Sequence, residues 1–265
     1  MESKSKSLYK NIKADYFFKN IFDYINTKIK LKILKHNKSI QKKINININN
    51  YKEFSEINSS IEIEIIPQEN VEGKFINIEN KDEEKYYHIY FNNSKTETKK
   101  KYNLKRKDKI TKINVIINPE IKSLKQLFYY CNCIKTLSFK KCFRTDITNM
   151  YRTFEGCTSL TEINLANLKT DNVTDMCGLF CNDYVLKIID IPNFNTNKVT
   201  DMSCMFLRCK AIKKINYSSN FKINNEANID YMFHECAEQF KSSMKNVFNV
   251  YFNRLKKQIK KKHNH

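Results

Sequence analysis

Few of the residues that usually build turns and phosphate sites occur in this chain of 265 residues. It contains three glycines, three prolines and no tryptophan. Three glycines spread along the chain cannot form a P-loop or a dinucleotide fingerprint, because both motifs need closely spaced glycines. Those two kinds of nucleotide site are therefore excluded. Asparagine is expected to form many of the turns instead.

Long apolar runs are also missing. No stretch approaches the roughly 18 apolar residues of a membrane-spanning helix. The opening segment MESKSKSLYKNIKADYFF carries charges but lacks the apolar core of a signal peptide. These features predict a cytoplasmic protein without a transmembrane segment. The alternative is a cell-surface or secreted protein, which would need an export signal upstream of Met1.

Patterns typical of catalysis or zinc binding are poorly represented. All nine cysteines lie between Cys131 and Cys236, and His234 is the one histidine among them. Neither Cys131 with Cys133 nor Cys177 with Cys181 has the CxxC spacing of structural zinc sites. The cysteines are therefore predicted to be reduced core thiols. The sequence predicts a protein that is not an enzyme, with no catalytic residue, cofactor or metal.

The chain is strongly basic, with a formal net charge of +20 at pH 7. Lysine is spread along the chain together with Asn and Ile, as codon bias would produce. Basic residues are most densely grouped in loop 99–109. Weak nucleic-acid binding through this loop is one alternative function, and a plain exposed loop is the simpler interpretation. The basic patch consists of Lys99, Lys100, Lys101, Lys105, Arg106 and Lys107.

A repeat of about 26 residues organises the C-terminal half. An apolar residue precedes a recurring phenylalanine at helical spacing, and two later apolar columns lie two residues apart, as in a strand. Each repeat therefore predicts a short helical turn followed by a short strand, and such units are stable only when stacked. The phenylalanines, at intervals of 26, 26, 26 and 27 residues, are Phe128, Phe154, Phe180, Phe206 and Phe233.

The pattern VTDMxxMFxxCxxLxxL resembles the BspA-like leucine-rich repeat family, whose mycoplasma-type, DUF285-like members are surface- or lipoprotein-associated. VTDMCGLF at Val173 and VTDMSCMFLRCKAIKKI at Val199 match closely, and ITNMYRTFEGCTSLTEINL at Ile147 matches well. The resemblance implies an α/β fold: a right-handed solenoid of about five coils, with a parallel sheet on one side and helical turns on the other.

Solenoids bind other macromolecules with outward residues of the sheet. The columns between the inward apolar positions therefore form a candidate docking strip, and a solvated sheet face without a function is the alternative interpretation. We expect a monomer that binds another protein. The candidate residues are Thr136, Ser138, Glu162, Asn164, Ile188, Asp190, Lys214 and Asn216.

Four segments follow from these patterns: helices over 1–50, a small β-rich unit with the basic loop over 51–109, the solenoid over 110–239, and a capping helix with a basic tail over 240–265. Alternation in IEIEII, KFINIE and YYHIYF predicts antiparallel strands. Ile113 precedes Phe139 by one repeat length, which predicts that its strand is the first rung of the repeat sheet.

The segment YFFKNIFDYINTKIKLKILKHNKSIQ within residues 8–43 is similar to an F-box, although the usual Leu-Pro opening and tryptophan are absent. That resemblance implies a ubiquitin-ligase substrate adaptor as a further alternative. Helices that merely cap the repeats are the simpler alternative. A BspA-like surface adhesin also remains open.

Overall fold

The computed structural model describes residues 37–43, 56, 59–98 and 101–263. The chain divides into two compact units, Met1–Asn58 and Ser59–His265. In the first unit the described structure is chiefly the short helix α1, Lys38–Lys43. The helices and the F-box-like motif predicted over residues 8–43 lie otherwise outside the described residues.

The second unit has a mixed α/β structure dominated by a seven-stranded sheet, which confirms the α/β class. Its strand order is β3-β5-β1-β6-β7-β8-β9, and β2 and β4 form a separate two-stranded sheet. The strands are β1 (Ile61–Pro67), β2 (Gly73–Lys74), β3 (Tyr87–Phe91), β4 (Asn103–Leu104), β5 (Ile113–Ile117), β6 (Ile134–Lys141), β7 (Glu162–Asn164), β8 (Ile188–Ile191) and β9 (Lys214–Tyr217); a 3₁₀ helix spans Lys81–Tyr86, and helices α2 (Glu238–Ser243) and α3 (Lys245–His263) follow.

Strands β6 to β9 come from successive repeats and pair in parallel. Leu137 is opposite Ile163, Ile163 opposite Ile189, and Ile189 opposite Ile215. The register thus pairs the residues that the repeat aligns in sequence. Because side chains alternate along a strand, every repeat directs the same column into the core and the same column outward.

The phenylalanine column forms the centre of the core. Successive rings from Phe128 to Phe233 have centroids 5.6 Å apart and lie within 12° of parallel. Each ring is at most 2% exposed. Offset stacking of aromatic rings at this separation adds to the stabilisation from burial. The repeat length is therefore a packing requirement, since an altered spacing would remove a ring from the stack.

The segment around each phenylalanine is not helical, so the predicted helical turns are wrong. The N–H of Leu127 bonds the carbonyl of Leu124, three residues back, while the N–H of Phe128 bonds the carbonyl of Thr153 in the next repeat. In an α-helix, each of these two N–H groups would bond the carbonyl four residues earlier in the chain. The segments are instead consecutive tight turns with positive φ at Gln126, Tyr130, Arg152, Gly156, Gly178, Asn182, Cys204, Arg208, Tyr231 and Glu235.

The predicted first rung of the repeat sheet is also wrong. β5, which contains Ile113, does not lie next to β6, because β1 is inserted between them and pairs antiparallel with both. β3 then pairs with the other edge of β5. β1 can occupy this central position because its alternate residues Ile61, Ile63 and Ile65 are fully buried. Of the predicted antiparallel strands, IEIEII (β1) and YYHIYF (β3) therefore extend the repeat sheet, and a division at residue 109 cuts through it. The strand predicted for KFINIE is wrong, because only its Lys74 lies in a strand, at the end of β2 in the separate two-stranded sheet.

The predicted C-terminal helix is present as α2 and α3. Phe240 of α2 is fully buried, and its ring centroid lies 5.1 Å from that of Phe206 and 5.8 Å from that of Phe233. The Arg254 guanidinium in α3 donates to the carbonyls of Asn224 and Ala227 at 3.0 and 3.1 Å. These contacts close the apolar end of the ring stack and satisfy carbonyl groups of the last connector.

Candidate functional site

The outward columns of the sheet form one continuous line of side chains, which we call the polar row. Strand pairing aligns one outward residue from each of the seven strands. Alternation explains the arrangement, since the residues on either side of each member point into the core. The polar row consists of Tyr90, Asn114, Glu64, Ser138, Asn164, Asp190 and Asn216.

A second outward line runs beside the polar row and crosses the sheet from β1 to β9. It consists of Ile66, Thr136, Glu162, Ile188 and Lys214. Together the two lines contain all eight side chains that the sequence analysis selected for the docking strip. Glu162, Asn164, Lys214 and Asn216 are exposed, and the other four are half-buried.

Sequence reasoning missed the part of the polar row that β3, β5 and β1 contribute. Alternation in IEIEIIP signals that Glu62 and Glu64 share one face of a strand. Nothing in that pattern specifies β6 as the neighbour of β1. Tyr90, Asn114 and Glu64 therefore join the face only through the observed strand order.

Two shallow hollows lie along this face. One, of about 400 Å³, is lined by residues of the polar row from Glu64 to Asn216. The other, of about 450 Å³, is lined by Glu62, Tyr90, Asn114 and Ile116 among others. Lys140 borders both hollows. The face is therefore recessed across its width and can accept protruding groups of another molecule.

Charges on the face are largely paired with each other. The Glu64 carboxylate accepts from Lys112 at 2.5 Å and from Lys140 at 2.9 Å. These contacts, the Lys112 bond above all, lower the pKa of Glu64 although burial opposes them. Lys141 pairs with Glu62 at 3.1 Å, and the Asn216 amide donates to Asp190 at 2.8 Å. The face thus offers hydrogen-bonding groups of mixed charge inside a strongly basic protein.

The cysteines of the repeat column are buried and bond the backbone. The thiols of Cys157, Cys209 and Cys236 donate to carbonyls of Phe128, Phe180 and Phe206 at 3.1, 3.0 and 2.8 Å. Burial raises the pKa of Cys236 to about 12 and those of Cys157 and Cys209 well above their ordinary value. Neutral, buried thiols of this kind are poor nucleophiles and poor metal ligands. Across the described part of the chain, no three His, Cys, Asp or Glu side chains are grouped as a metal site.

The basic patch is only partly described, because Lys99 and Lys100 lie outside the described residues. Lys101 pairs with Asp108 at 2.9 Å, and the Asp108 carboxylate also accepts from the backbone N–H of Lys105. Lys105, Arg106 and Lys107 are exposed on the turn that this bond closes. They lie apart from the polar row, so the structure separates the two candidate surfaces.

The repeats match a known family model. Residues 122–250 match the family described as "Mycoplasma protein of unknown function, DUF285". The match agrees with the predicted resemblance to mycoplasma-type repeats, and its description assigns no function. No curated protein and no solved structure matches the chain. In the described residues, no helix is both long and apolar enough to cross a membrane.

Proposed function

We propose that this protein is a non-enzymatic protein–protein interaction module that binds its partner with the outer face of the seven-stranded sheet. In this proposal residues 110–239 are a leucine-rich-repeat-like, right-handed solenoid of BspA type with about five coils. The observation that carries it is the polar row, an uninterrupted line of small polar and paired charged side chains.

The dimensions of the face suit a protein partner. Neighbouring strands lie about 4.8 Å apart, so a row across seven strands is about 29 Å long. A typical stable interface buries about 800 Å² on each partner, which corresponds to a patch roughly 30 Å across. A small-molecule site would instead be a deep, mostly apolar cleft. Both hollows are shallow, and the one lined by the polar row from Glu64 to Asn216 is mainly polar, which favours a broad partner over a compact ligand.

The electrostatics of the face also suit protein recognition. Glu64 already has two lysine partners and Asp190 already accepts from Asn216. A partner therefore need not supply a matching charge for Glu64, and Asp190 already has a hydrogen-bond donor. Unpaired hydrogen-bonding capacity remains on the Ser138 hydroxyl and on the Asn164 amide N–H groups, while Asn164 Oδ1 accepts from the N–H of Ala166 at 3.0 Å.

The test compares two bulky substitutions on the face with one elsewhere. Asn164→Tyr and Ser138→Tyr should block the hollow of about 400 Å³, which both residues line, without unfolding the sheet, because Tyr90 already occupies the same row. Thr158→Tyr is the matched control, since the next repeat carries Tyr184 at the equivalent position. Each full-length variant is used for quantitative affinity purification from nuclease-treated lysate of the native cell.

We expect the recovered amount of specific partner proteins to fall at least about tenfold with both face variants. Thr158→Tyr should recover them in unchanged amount. Circular dichroism spectra and the midpoints of urea unfolding check that all three variants are folded. If the face variants retain every partner, or the control loses the same partners, the outer face is not the docking surface. A face that is simply solvated would give that result.

A further inference from the structure

One end of the sheet collects exposed cations from distant parts of the chain. β5 begins at Ile113, opposite Ile65 near the end of β1, and Pro67 at the end of β1 is opposite Ile134 at the start of β6. The parallel strands β6 to β9 all begin at this same end. The residues that precede β5 and the residues that open the parallel strands therefore share one rim.

Three lysines line the start of the parallel strands. The backbone carbonyl of Lys135 accepts from Thr161, that of Thr161 from Lys187, and that of Lys187 from Lys213, at 2.9, 2.7 and 2.9 Å. These four residues are thus neighbours in one column, with lysine at three of the four positions. With strands about 4.8 Å apart, the column is about 14 Å long. All three lysine side chains are exposed.

The basic turn that follows β4 lies at the same end. Leu104 pairs with Gly73, whose carbonyl accepts from the thiol of Cys133 at 3.3 Å, just before β6. Lys105, Arg106 and Lys109 also border a hollow of about 260 Å³ that Pro67 helps to line. The lysine rim, as we call this surface, consists of Lys105, Arg106, Lys107, Lys109, Lys135, Lys187, Lys213 and Lys214.

Cations of the lysine rim are not neutralised by the protein itself. None of them has an ion pair with a described residue, whereas Lys101, Lys112 and Lys140 all pair with carboxylates. The acidic residues nearby are Asp108, which pairs with Lys101 and also attracts Lys107, Glu69, which borders the same hollow as Asp108, and Glu162 in the second outward line. The rim therefore keeps a large excess of positive charge.

We propose that the lysine rim binds the phosphate backbone of nucleic acid without reading its sequence. A linear row of cations is complementary to a linear polyanion, and duplex DNA presents one charge per about 1.7 Å of its axis. An anionic membrane fits less well, because none of the exposed large apolar side chains of the described residues belongs to the rim or lines its hollow. This surface shares no residue with the polar row and only Lys214 with the second outward line, and its function does not depend on the proposed protein docking.

The test measures fluorescence anisotropy of a 20-base-pair duplex and a 20-nucleotide single strand with the full-length protein. The rim variant is Lys135→Ala/Lys187→Ala/Lys213→Ala. The control variant, Lys125→Ala/Lys198→Ala/Lys222→Ala, removes the same charge from exposed positions of the same repeats outside the rim. A single change, Lys213→Glu, provides a second rim variant if the triple variant unfolds.

We expect the rim variant to weaken binding on the order of 10- to 100-fold near 0.1 M salt and to reduce the slope of log K against log salt by about 2 to 3. The control variant should keep most of the affinity and slope. Equal losses in both variants would mean that binding follows net charge, which overturns the proposal. Tighter binding to heparin, or to vesicles of anionic lipid, than to either oligonucleotide at the same salt would also overturn it.

Discussion

Asp183 occupies a position that four of the five repeats fill with cysteine. Its carboxyl group is fully buried, and Oδ1 accepts from the N–H of Cys157 at 2.8 Å, while Oδ2 has no hydrogen-bond partner. In the same column, cysteine thiols donate to the phenylalanine carbonyl of the preceding repeat. A carboxylate cannot make that bond, because both of its oxygens only accept.

Replacing Asp183 with the residue of the other repeats should stabilise the protein. We expect Asp183→Cys to raise the free energy of unfolding by about 1 to 3 kcal/mol at pH 7, because a buried acceptor without a partner costs about that amount. Urea denaturation monitored by circular dichroism measures the change. Asp183→Ala removes the carboxyl group without adding a thiol. The difference in stability between Asp183→Cys and Asp183→Ala therefore measures the contribution of the thiol and its hydrogen bond. A lower midpoint for Asp183→Cys than for the native chain would contradict this explanation.

The same residue should make stability depend on pH. Burial raises the pKa of the Asp183 carboxyl well above its ordinary value, so the folded state keeps a proton that the unfolded chain has released above about pH 3.9. Stability conferred by this group is complete at low pH and is lost as the pH rises toward the folded pKa, by at most about 1.4 kcal/mol per pH unit.

Asp183→Asn removes this titration while keeping the shape of the side chain. The advantage of Asp183→Asn over the native chain should therefore be larger at pH 7 than at pH 4.5, as measured by urea midpoints at both values. The comparison within each pH removes the titrating groups that do not interact with Asp183. Glu155 does interact with it, since its charge adds to burial in raising the pKa of Asp183. A difference that is independent of pH would show that Asp183 does not carry a proton in the folded state.

Positive φ at the repeated turns is a second feature of single residues. Tyr231 has φ of 57°, its side chain is 61% exposed, and the equivalent position two repeats earlier is Gly178. We expect Tyr231→Gly to be more stable than Tyr231→Ala by about 1 kcal/mol, because glycine alone adopts this conformation without strain. Thermal and urea unfolding of both variants measures which of the two is more stable. An alanine variant as stable as the glycine variant would contradict it.

At the scale of elements, the sequence predicts the repeats well and their surroundings poorly. Columns such as Phe128 to Phe233 are visible because stacking requires the same side chain at the same interval. The sequence could not distinguish tight turns from helical turns, because apolar residues four apart, such as Leu124 and Phe128, fit both conformations. Residues such as Arg152 and Tyr231 also give no local signal of positive φ.

The neighbours of β1 could not be predicted for a different reason. Its alternation indicates a strand with one buried face, but any open sheet edge of matching length could accept it. The observed pairing with β6 closes the edge of the repeat sheet that an isolated stack of repeats would expose. This explains why a repeat boundary near residue 110 looks natural in sequence but divides the folded unit.

Two fragments test this role of β1. A fragment of residues 59–265 retains the whole second unit, and we expect it to be monomeric and to unfold cooperatively. A fragment of residues 110–265 lacks β1 and β3, so β5 loses both partners and β6 exposes an unpaired edge. We expect it to aggregate in size-exclusion chromatography. Cooperative unfolding of the shorter fragment with an unchanged urea midpoint would contradict the role assigned to β1.

At the scale of the whole molecule, charge is distributed unevenly over the second unit. The net charge of +20 belongs to the chain as a whole, yet Glu62 and Glu64 of the outer sheet face pair with neighbouring lysines, whereas the rim cations make no ion pair with a described residue. Exposed unpaired lysines attract polyanions over the range of a Debye length, about 10 Å at 0.1 M salt. The balanced sheet face avoids that general attraction, which suits a surface that discriminates among protein partners.

The most direct test of the docking face is photo-crosslinking in the native cell. A photoreactive phenylalanine analogue is incorporated at Asn164, within the polar row, and in a parallel sample at Thr158, outside it. Docking on the sheet face predicts one or a few discrete protein adducts from position 164, identified by mass spectrometry, and none of these from position 158. No adduct at position 164, or the same adducts from both positions, would contradict the proposal that this face binds a protein.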